Sequence, residues 1–282
     1  MSKRLSVNDF LKFKVEKRKV SILTAYDRMT ARIAEDGGAD VILVGDSLGM
    51  TVLGYDDTLS VSMEDMVRHT KAVSNVTNRV MVIADLPFLS YQVSVAEALR
   101  NAGRLMVEGG CGAVKLEGGI EYCAQVKAIT QAGIPVMGHL GFTPQSIHRF
   151  GGSFAQGKTE ETAVKLMRDA FALEEAGAFG IVLECVPHEL AEVITLKLKI
   201  PTIGIGSGAE CDGQVQVIHD VLGLNDDFQA KHFKKYVEGQ KILTDAVKMH
   251  VAEVKDLAFP TTAHSFTVSS AIIDVVKKEF RG

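Results

Sequence analysis

The chain has 282 residues, of which 46% are hydrophobic and 23% are charged, and its formal net charge at pH 7 is −4. This composition is typical of a globular protein with a sizeable core, and it gives no reason to expect nucleic acid or an anionic membrane as a partner. No apolar run approaches the ~18 residues needed to cross a bilayer, and no secretory signal follows the first residues. The four cysteines have no metal-type spacing, so we expect reduced thiols in a cytoplasmic protein.

Short apolar runs alternate with amphipathic segments along most of the chain. Residues 1–17 form a predicted lead-in helix, and further helices are predicted at 28–37, 63–74, 94–108, 121–131, 159–176 and 188–197. Strands are predicted at 19–26, 40–46, 79–85, 112–117, 134–139, 180–185 and 200–205, with a weaker eighth at 215–219. The strands are rich in Val, Ile and Leu without alternation, which is typical of parallel strands buried on both faces.

The alternation repeats as a strand–helix unit of about 35–45 residues. No linker rich in Pro, Ser or Gly divides the array, so it predicts an α/β fold in which residues 1–282 form a single (β/α)8 TIM barrel. Residues 222–282 are expected to supply closing helices, the last of them amphipathic at 268–280.

Polar side chains stand at the ends of five predicted strands: Asp46, Asp85, Glu117, His139 and Glu184. The carboxyl ends of barrel strands meet at one face, where barrel enzymes build their active sites. Carboxylates that share a small site need a cation, and oxygen donors suit Mg²⁺, so we expect Asp46, Asp85 and Glu117 to hold a metal. The structural alternative is that each acid caps the next helix.

Four other roles follow from position, each with a structural alternative. Lys115 lies two residues before Glu117 and so faces the barrel interior, where it could hold a substrate oxygen or form a buried ion pair. Glu184 is the candidate general base, or else a fourth metal ligand or a partner of Lys115. His139 could have a direct role in the site, and it is equally well interpreted as a core histidine. Ser47 offers a hydroxyl beside the metal, or a turn cap.

Two glycine-rich segments match nucleotide-binding patterns weakly. Residues 152–159 (GSFAQGKT) fit the P-loop pattern, which requires a strand directly before it, but the preceding residues are loop-like. A chance match in a loop is therefore favoured, and nucleotide binding is kept as a rival function. Residues 204–208 (GIGSG) misplace the third glycine of a dinucleotide loop.

Several linked segments, in order from about residue 3 to about residue 266, resemble the ketopantoate hydroxymethyltransferase family. They are TAYD at 24–27, VGDSLGM at 44–50, DLPF at 85–88, KLEG at 115–118, PVMGHLG at 135–141, TPQ at 143–145, LE at 183–184, IGIGSG at 203–208 and DGQ at 212–214. The loop at 148–155 looks less typical of the family. Residues 267–282 form a C-terminal extension past the usual family end.

The resemblance implies a TIM barrel of the phosphoenolpyruvate mutase/isocitrate lyase-like type. It implies transfer of a hydroxymethyl group from 5,10-methylenetetrahydrofolate to 3-methyl-2-oxobutanoate through a Mg²⁺-stabilised enolate, giving 2-dehydropantoate for pantothenate and coenzyme A synthesis. It also implies a homo-oligomer, often a decamer. Matching motif positions assign Mg²⁺ binding to Asp46, Asp85 and Glu117, keto acid binding to Asp46, Ser47, Asp85, Lys115 and His139, and acid–base catalysis to Glu184.

The nearest rival is a Mg²⁺-dependent lyase or mutase acting on a related oxo acid, because the same carboxylates would serve it. Relatives of the isocitrate lyase type carry a Lys-Lys-Cys-Gly-His loop, and the sequence contains no such string. A catalytically inactive barrel is disfavoured, since all the expected polar groups are present.

Overall fold

The computed structural model describes residues 4–151, 155–225 and 231–280. Eight parallel strands form a closed barrel in chain order, with β1 paired to both β2 and β8. The strands are Val20–Thr24 (β1), Val41–Val44 (β2), Met81–Asp85 (β3), Ala113–Glu117 (β4), Val136–Gly141 (β5), Gly180–Glu184 (β6), Thr202–Ile205 (β7) and Gly213–Gln216 (β8). The predicted barrel is confirmed.

The longer helices lie where the sequence periodicity predicts them, and short helices such as Leu48–Thr51 and Ile147–Phe150 lie in segments where none was predicted. The helices are Val7–Val15 (α1), Arg28–Asp36 (α2), Leu48–Thr51 (α3), Met63–Ser74 (α4), Val95–Val107 (α5), Cys123–Gln131 (α6), Ile147–Phe150 (α7), Glu160–Glu175 (α8), His188–Lys197 (α9), Ile218–Val221 (α10), Gly239–Lys255 (α11) and Ser270–Glu279 (α12). Side-chain caps define several starts. For example, the Ser94 hydroxyl accepts the Glu97 N–H at 3.1 Å and begins α5.

The eighth strand was predicted wrongly at 215–219, because β8 ends at Gln216 and a helix begins at Ile218. The Ile218 N–H donates to the Thr24 hydroxyl at 3.1 Å, which turns the chain away from the sheet. Only two residues of β8 are fully buried, so its apolar pattern is too weak to fix the boundary.

Helix α1 closes the amino-terminal end of the barrel. The Phe10 ring packs edge-on against Phe179, which precedes β6, with ring centroids 5.5 Å apart. The Lys14 ammonium forms an ion pair of 2.7 Å with Asp212, which precedes β8. Both aromatic rings of α1, Phe10 and Phe13, belong to the apolar cluster that fills the barrel interior. The lead-in helix is thus part of the core.

The chain divides into two compact units, Met1–Tyr236 and Val237–Gly282. The first contains the barrel, and the second contains α11 and α12. Helix α12 lies within the predicted extension at 267–282. A single domain over the whole chain stays a prediction. Among the described residues, no helix is both long and apolar enough to cross a membrane.

Candidate active site

The strand register brings the predicted polar residues to one end of the barrel. Asp85, Glu117 and Glu184 are the last residues of β3, β4 and β6. Asp85 lies opposite Lys115, and Glu117 lies opposite His139 on β5. The sequence expectation that these side chains converge is confirmed for this group, and Asp46 and Ser47 join it from the loop after β2.

Lys115 is a buried cation held among carboxylates. Its Nζ lies 3.1 Å from Asp85 Oδ1 and 3.1 Å from His139 Nδ1. Burial opposes the charged form, but Asp85, Glu117 and Asp46 outweigh it and raise the pKa of Lys115. Lys115 therefore remains an ammonium that faces the barrel interior.

The carboxylates crowd one another. The Asp46 N–H donates to Asp85 Oδ2 at 3.1 Å. Burial raises the pKa of Asp46 well above its ordinary value, and the charges of Asp85 and Glu117 raise it further. A Cβ at Gly45 would lie 2.9 Å from the Ser47 hydroxyl oxygen and 3.4 Å from Asp85 Oδ2, so glycine leaves room for these polar groups after β2.

Gln145, which is not among the polar residues predicted at strand ends, connects the residues of the site through hydrogen bonds. Its Nε2 donates to Asp46 Oδ2 at 2.8 Å and to the Leu86 carbonyl at 2.9 Å. Its backbone N–H donates to Glu117 Oε2 at 3.0 Å. Its Oε1 lies 2.9 Å from the Tyr91 hydroxyl. The one sequence signal for it is the TPQ segment of the family resemblance.

His139 links the acid cluster to Glu184. Its Nε2 lies 3.2 Å from Glu184 Oε2, and its Nδ1 lies 3.4 Å from Glu117 Oε1. Because the Lys115 ammonium can only donate, its 3.1 Å approach to Nδ1 needs a lone pair there. That contact favours a neutral imidazole, whereas burial and the Lys115 charge, which lower the pKa of His139, are outweighed by Glu117 and Glu184, which raise this pKa to about 9. In both forms Nε2 carries a proton that faces Glu184.

Ser47 does not act as a helix cap. Its side chain accepts no N–H of α3, and its hydroxyl lies 2.8 Å from the Tyr26 hydroxyl. Burial raises the pKa of Tyr26 to about 12, so the phenol stays protonated. Capping also fails for Asp46, Asp85 and Glu117, because their side chains contact Lys115, Gln145 or the Asp46 N–H and not the helix that follows each acid.

The carboxylates of Asp46, Asp85 and Glu117 are the type of ligand that a hard cation prefers, but their spacing does not form a metal site. Asp85 Oδ1 and Glu117 Oε1 are buried without a hydrogen bond, although each has an ion-pair contact. Such oxygens are typical Mg²⁺ ligands. In the described ranges, however, no three His, Cys, Asp or Glu side chains lie close enough to hold an ion. The amide groups of Gln145 bridge Asp46 and Glu117 instead.

The two glycine-rich patterns have structural explanations. Residues 152–154 of the P-loop match lie outside the described residues. Upstream, helix α7 stands between β5 and the pattern, so no strand leads directly into it. In the 204–208 segment, the buried Ser207 hydroxyl donates to the Leu183 carbonyl at 2.8 Å and accepts the Val186 N–H at 3.0 Å. This serine fixes the turn that carries Glu184.

The closed parallel barrel with a buried acid cluster at its carboxyl end defines the class, a TIM-barrel enzyme. Solved structures with a similar fold are found among other enzymes. A putative phosphonomutase from Burkholderia cenocepacia J2315 gives a TM-score of 0.65 at 15% identity, over 86% of this chain and 99% of that one. A phosphoenolpyruvate phosphomutase from Streptomyces platensis gives 0.62 at 15%, over 99% and 100%. These structures share the fold, and the predicted (β/α)8 barrel is confirmed.

The ketopantoate hydroxymethyltransferase family model matches residues 4–262. A 3-methyl-2-oxobutanoate hydroxymethyltransferase of Acetivibrio thermocellus is 56% identical over 99% of this chain and 98% of its own length. One from Dehalococcoides mccartyi is 53% identical over 98% and 99%. The chain therefore belongs to the ketopantoate hydroxymethyltransferase family, and it is an enzyme of that transferase type.

Proposed function

We propose that the chain transfers a hydroxymethyl group from 5,10-methylenetetrahydrofolate to 3-methyl-2-oxobutanoate, giving 2-dehydropantoate. The observation that carries this proposal is the buried Lys115 among Asp46, Asp85 and Glu117, next to a base that faces the same space. This arrangement suits a reaction in which negative charge develops on a 2-oxo acid. Water supplies the hydroxyl oxygen, and tetrahydrofolate leaves.

Mg²⁺ is the proposed metal, held by Asp46, Asp85 and Glu117. The two buried carboxylate oxygens without a hydrogen bond support this set. So does a phosphonopyruvate hydrolase of the same fold, 13% identical with a TM-score of 0.61, which is described in complex with oxalate and Mg²⁺. A bound Mg²⁺ supplies Lewis-acid polarisation of the keto group.

The chain's own residues then divide two tasks on the keto acid. Lys115 supplies a fixed positive charge, and it stabilises the oxygen on which the enolate charge develops. Ser47 donates a hydroxyl hydrogen bond to the substrate, since Tyr26 holds that hydroxyl at the rim of the site. His139 contributes by orienting Glu184 and lies within reach of the bound acid.

Glu184 is the proposed base. Its side chain is 15% exposed, against 3–4% for Asp85, Lys115, Glu117 and His139, so a substrate reaches it most easily. It removes the C3 proton of the keto acid, and the resulting enolate attacks the methylene carbon of the folate. This attack breaks one carbon–nitrogen bond of the methylene bridge, and the same carboxyl group returns the proton to that nitrogen. Water then displaces the second folate nitrogen, leaving its hydroxyl on the transferred carbon and its other proton on the nitrogen.

Assembly and compartment are proposals as well. We propose a homo-oligomer, because α11 and α12 carry exposed apolar side chains such as Ile242, Val247, Ile272 and Val275. The family resemblance suggests a decamer. Light scattering that gives the mass of a monomer at micromolar concentration would contradict it. The four free cysteines are consistent with the proposed cytoplasmic location.

The proposed activity is tested by NMR in D₂O. The protein is mixed with 3-methyl-2-oxobutanoate and Mg²⁺, and 5,10-methylenetetrahydrofolate is added later. We expect loss of the C3 proton signal first, and a hydroxymethyl resonance only after the folate is added. Exchange without transfer would reject the folate as second substrate. Absence of both signals, with Mg²⁺ shown to bind, would favour a lyase acting on another oxo acid.

A further inference from the structure

Gln145 is a buried glutamine whose amide atoms all have hydrogen-bond partners. Its Nε2 donates one hydrogen to Asp46 Oδ2 at 2.8 Å and the other to the Leu86 carbonyl at 2.9 Å. Its Oε1 lies 2.9 Å from the Tyr91 hydroxyl and accepts from Gln92 Nε2 at 3.2 Å. A flipped amide would place its oxygen against two acceptors, so these contacts fix its orientation. The side chain is therefore a rigid support for one oxygen of Asp46.

The other two acids of the cluster are each held at one oxygen in the same way. The Gln145 backbone N–H donates to Glu117 Oε2 at 3.0 Å, and the Asp46 N–H donates to Asp85 Oδ2 at 3.1 Å. The second oxygens, Glu117 Oε1 and Asp85 Oδ1, have ion-pair contacts but no hydrogen bond. A carboxylate that an N–H holds at one oxygen binds a cation more readily through the other oxygen. The hydrogen bonds thus leave a set of ligands that offer one oxygen each.

Such a set distinguishes between hard cations. Ca²⁺ takes about six to eight oxygen ligands and often binds both oxygens of a carboxylate. Mg²⁺ keeps several waters and needs few carboxylates. The spacing of the acids agrees with the second pattern, since no three Asp, Glu, His or Cys side chains lie close enough to hold an ion among the residues that the structure describes. Few protein oxygens, one from each carboxylate, suit a cation that remains largely hydrated.

We propose that the Gln145 side chain makes the acid cluster select Mg²⁺ over Ca²⁺. It holds Asp46 Oδ2 and so keeps that carboxylate from binding a cation through both oxygens. The inference rests on the proposed function, in which Asp46, Asp85 and Glu117 hold the metal. Gln145 acts through Asp46 and is therefore a positioning residue that determines cation specificity.

The test removes the amide and leaves the backbone in place. Gln145→Met keeps a side chain of similar length, loses the bond to Asp46 Oδ2 and retains the backbone N–H that holds Glu117. Mg²⁺ and Ca²⁺ are titrated separately into the chelator-treated full chain by isothermal titration calorimetry. The ratio of the Kd for Ca²⁺ to the Kd for Mg²⁺ should fall on the order of 10-fold, as is typical when a group that supports a metal ligand is changed. The rise of Tm with each cation gives a second measure of both affinities.

The matched control for the loss of a buried amide is Gln125→Met. Gln125 of α6 is also buried, and its Nε2 donates to the Tyr91 carbonyl at 3.4 Å instead of to an acid, so the Kd ratio should not change. In a chain that already carries Asp46→Asn, Gln145→Met should change the ratio no further, because the two residues act through one contact. Circular dichroism checks that each variant is folded.

An unchanged Kd ratio in Gln145→Met would overturn the inference, whether both affinities fall together or neither changes, and the proposed metal set would stand. A preference of the unmodified protein for Ca²⁺ would overturn it as well. If the unmodified protein binds neither cation, the metal set and the inference are rejected together. Folate-dependent transfer by the unmodified protein, followed by NMR, is measured separately, so failure of the inference is distinguished from failure of the proposed function.

Discussion

The two ends of the barrel interior are built from opposite chemistry. On β3 the inward positions are Met81 and Ile83, followed by Asp85 at the carboxyl end. On β4, Ala113 occupies the inward position nearest the amino-terminal end, and Lys115 and Glu117 follow it. Each strand thus changes from apolar to charged within two residues, on one face.

This difference separates stability from chemistry. The lower interior, at the amino-terminal ends of the strands, buries apolar side chains and is closed by α1. It therefore contributes to folding at little electrostatic cost. The upper interior, at the carboxyl ends of the strands, holds charged side chains out of water. Burial and the charges of Asp85 and Glu117 raise the pKa of Asp46. A fold can retain such a destabilising site only if the rest of its core compensates.

The largest expected effect comes from the apolar end. Phe10→Ala should lower the free energy of unfolding by about 3–5 kcal/mol, because it removes a fully buried ring packed against Phe179. Turnover per folded molecule should not change. Chemical denaturation measures the first quantity, and active-site titration combined with kinetics measures the second.

Leu11→Ala is the matched control for Phe10→Ala. Leu11 is the next residue of α1 and is 38% exposed, so its loss should cost far less. A Phe10 variant that loses turnover at unchanged stability would contradict the division between the two ends.

At the charged end we expect a loss of activity with little loss of stability. Glu184→Gln keeps the shape of the side chain but removes the base, so kcat should fall by ~10²-fold or more. Stability and keto acid binding should change little, since Glu184 is partly exposed. Stopped-time assays and isothermal titration measure these quantities.

Glu189→Gln serves as the control for Glu184→Gln, because Glu189 lies on α9 with a side chain that is 74% exposed. Near-normal turnover in the Glu184 variant would remove that residue from the proposed role.

A smaller effect is expected from Ser207→Ala. The serine fixes the Leu183 carbonyl and the Val186 N–H on either side of Glu184, and its loss leaves that buried N–H without a partner. We expect a decrease of about 10-fold in kcat and in the rate of folate-independent C3 exchange. The keto acid KM should stay nearly constant, because Ser207 does not line the cluster.

Ser94→Ala provides the comparison for Ser207→Ala. It removes the cap of α5 and should cost about 1 kcal/mol of stability without changing the exchange rate. If Ser207→Ala lowers stability alone, the serine has only a structural role.

Sequence periodicity predicted the strand ends well, and through them most of the site. Because parallel strands bring their carboxyl ends together, the positions of Asp85, Lys115, Glu117 and Glu184 followed from chain order alone. The inward direction of Lys115 followed from the two-residue spacing to Glu117. The roles of these residues stay predictions that the variants must test.

Loop residues could not be predicted in the same way. Gln145 lies in the short helical turn after β5, where no periodic pattern operates, and it contacts Asp46, Leu86 and Tyr91 from distant parts of the chain. Ser207 lies in the glycine-rich segment 204–208, which matches a dinucleotide-binding loop only weakly, so no sequence pattern indicated its role. Their importance depends on hydrogen bonds across the fold, which local sequence does not encode.

The smallest expected effect tests whether the charged end is costly. In EDTA, Asp46→Asn should raise Tm by a few degrees, as expected for a gain of about 1 kcal/mol in a chain of this size, because it removes repulsion with Asp85 and Glu117. The folded-state pKa of Asp46 is raised, so its ionisation destabilises the protein as pH rises through that pKa. The gain in Tm should therefore be larger at pH 8 than at pH 5.

Added Mg²⁺ should reverse the order of the Tm values of the unmodified protein and Asp46→Asn. The unmodified chain should gain Tm with added Mg²⁺, while Asp46→Asn should need a higher Mg²⁺ concentration for the same gain, because it has lost a charged ligand. Asp56→Asn, at an exposed aspartate, should show neither change. A lower Tm of Asp46→Asn in EDTA would mean that the Asp46 carboxylate stabilises the fold, and the cost of the upper interior would then have to lie elsewhere.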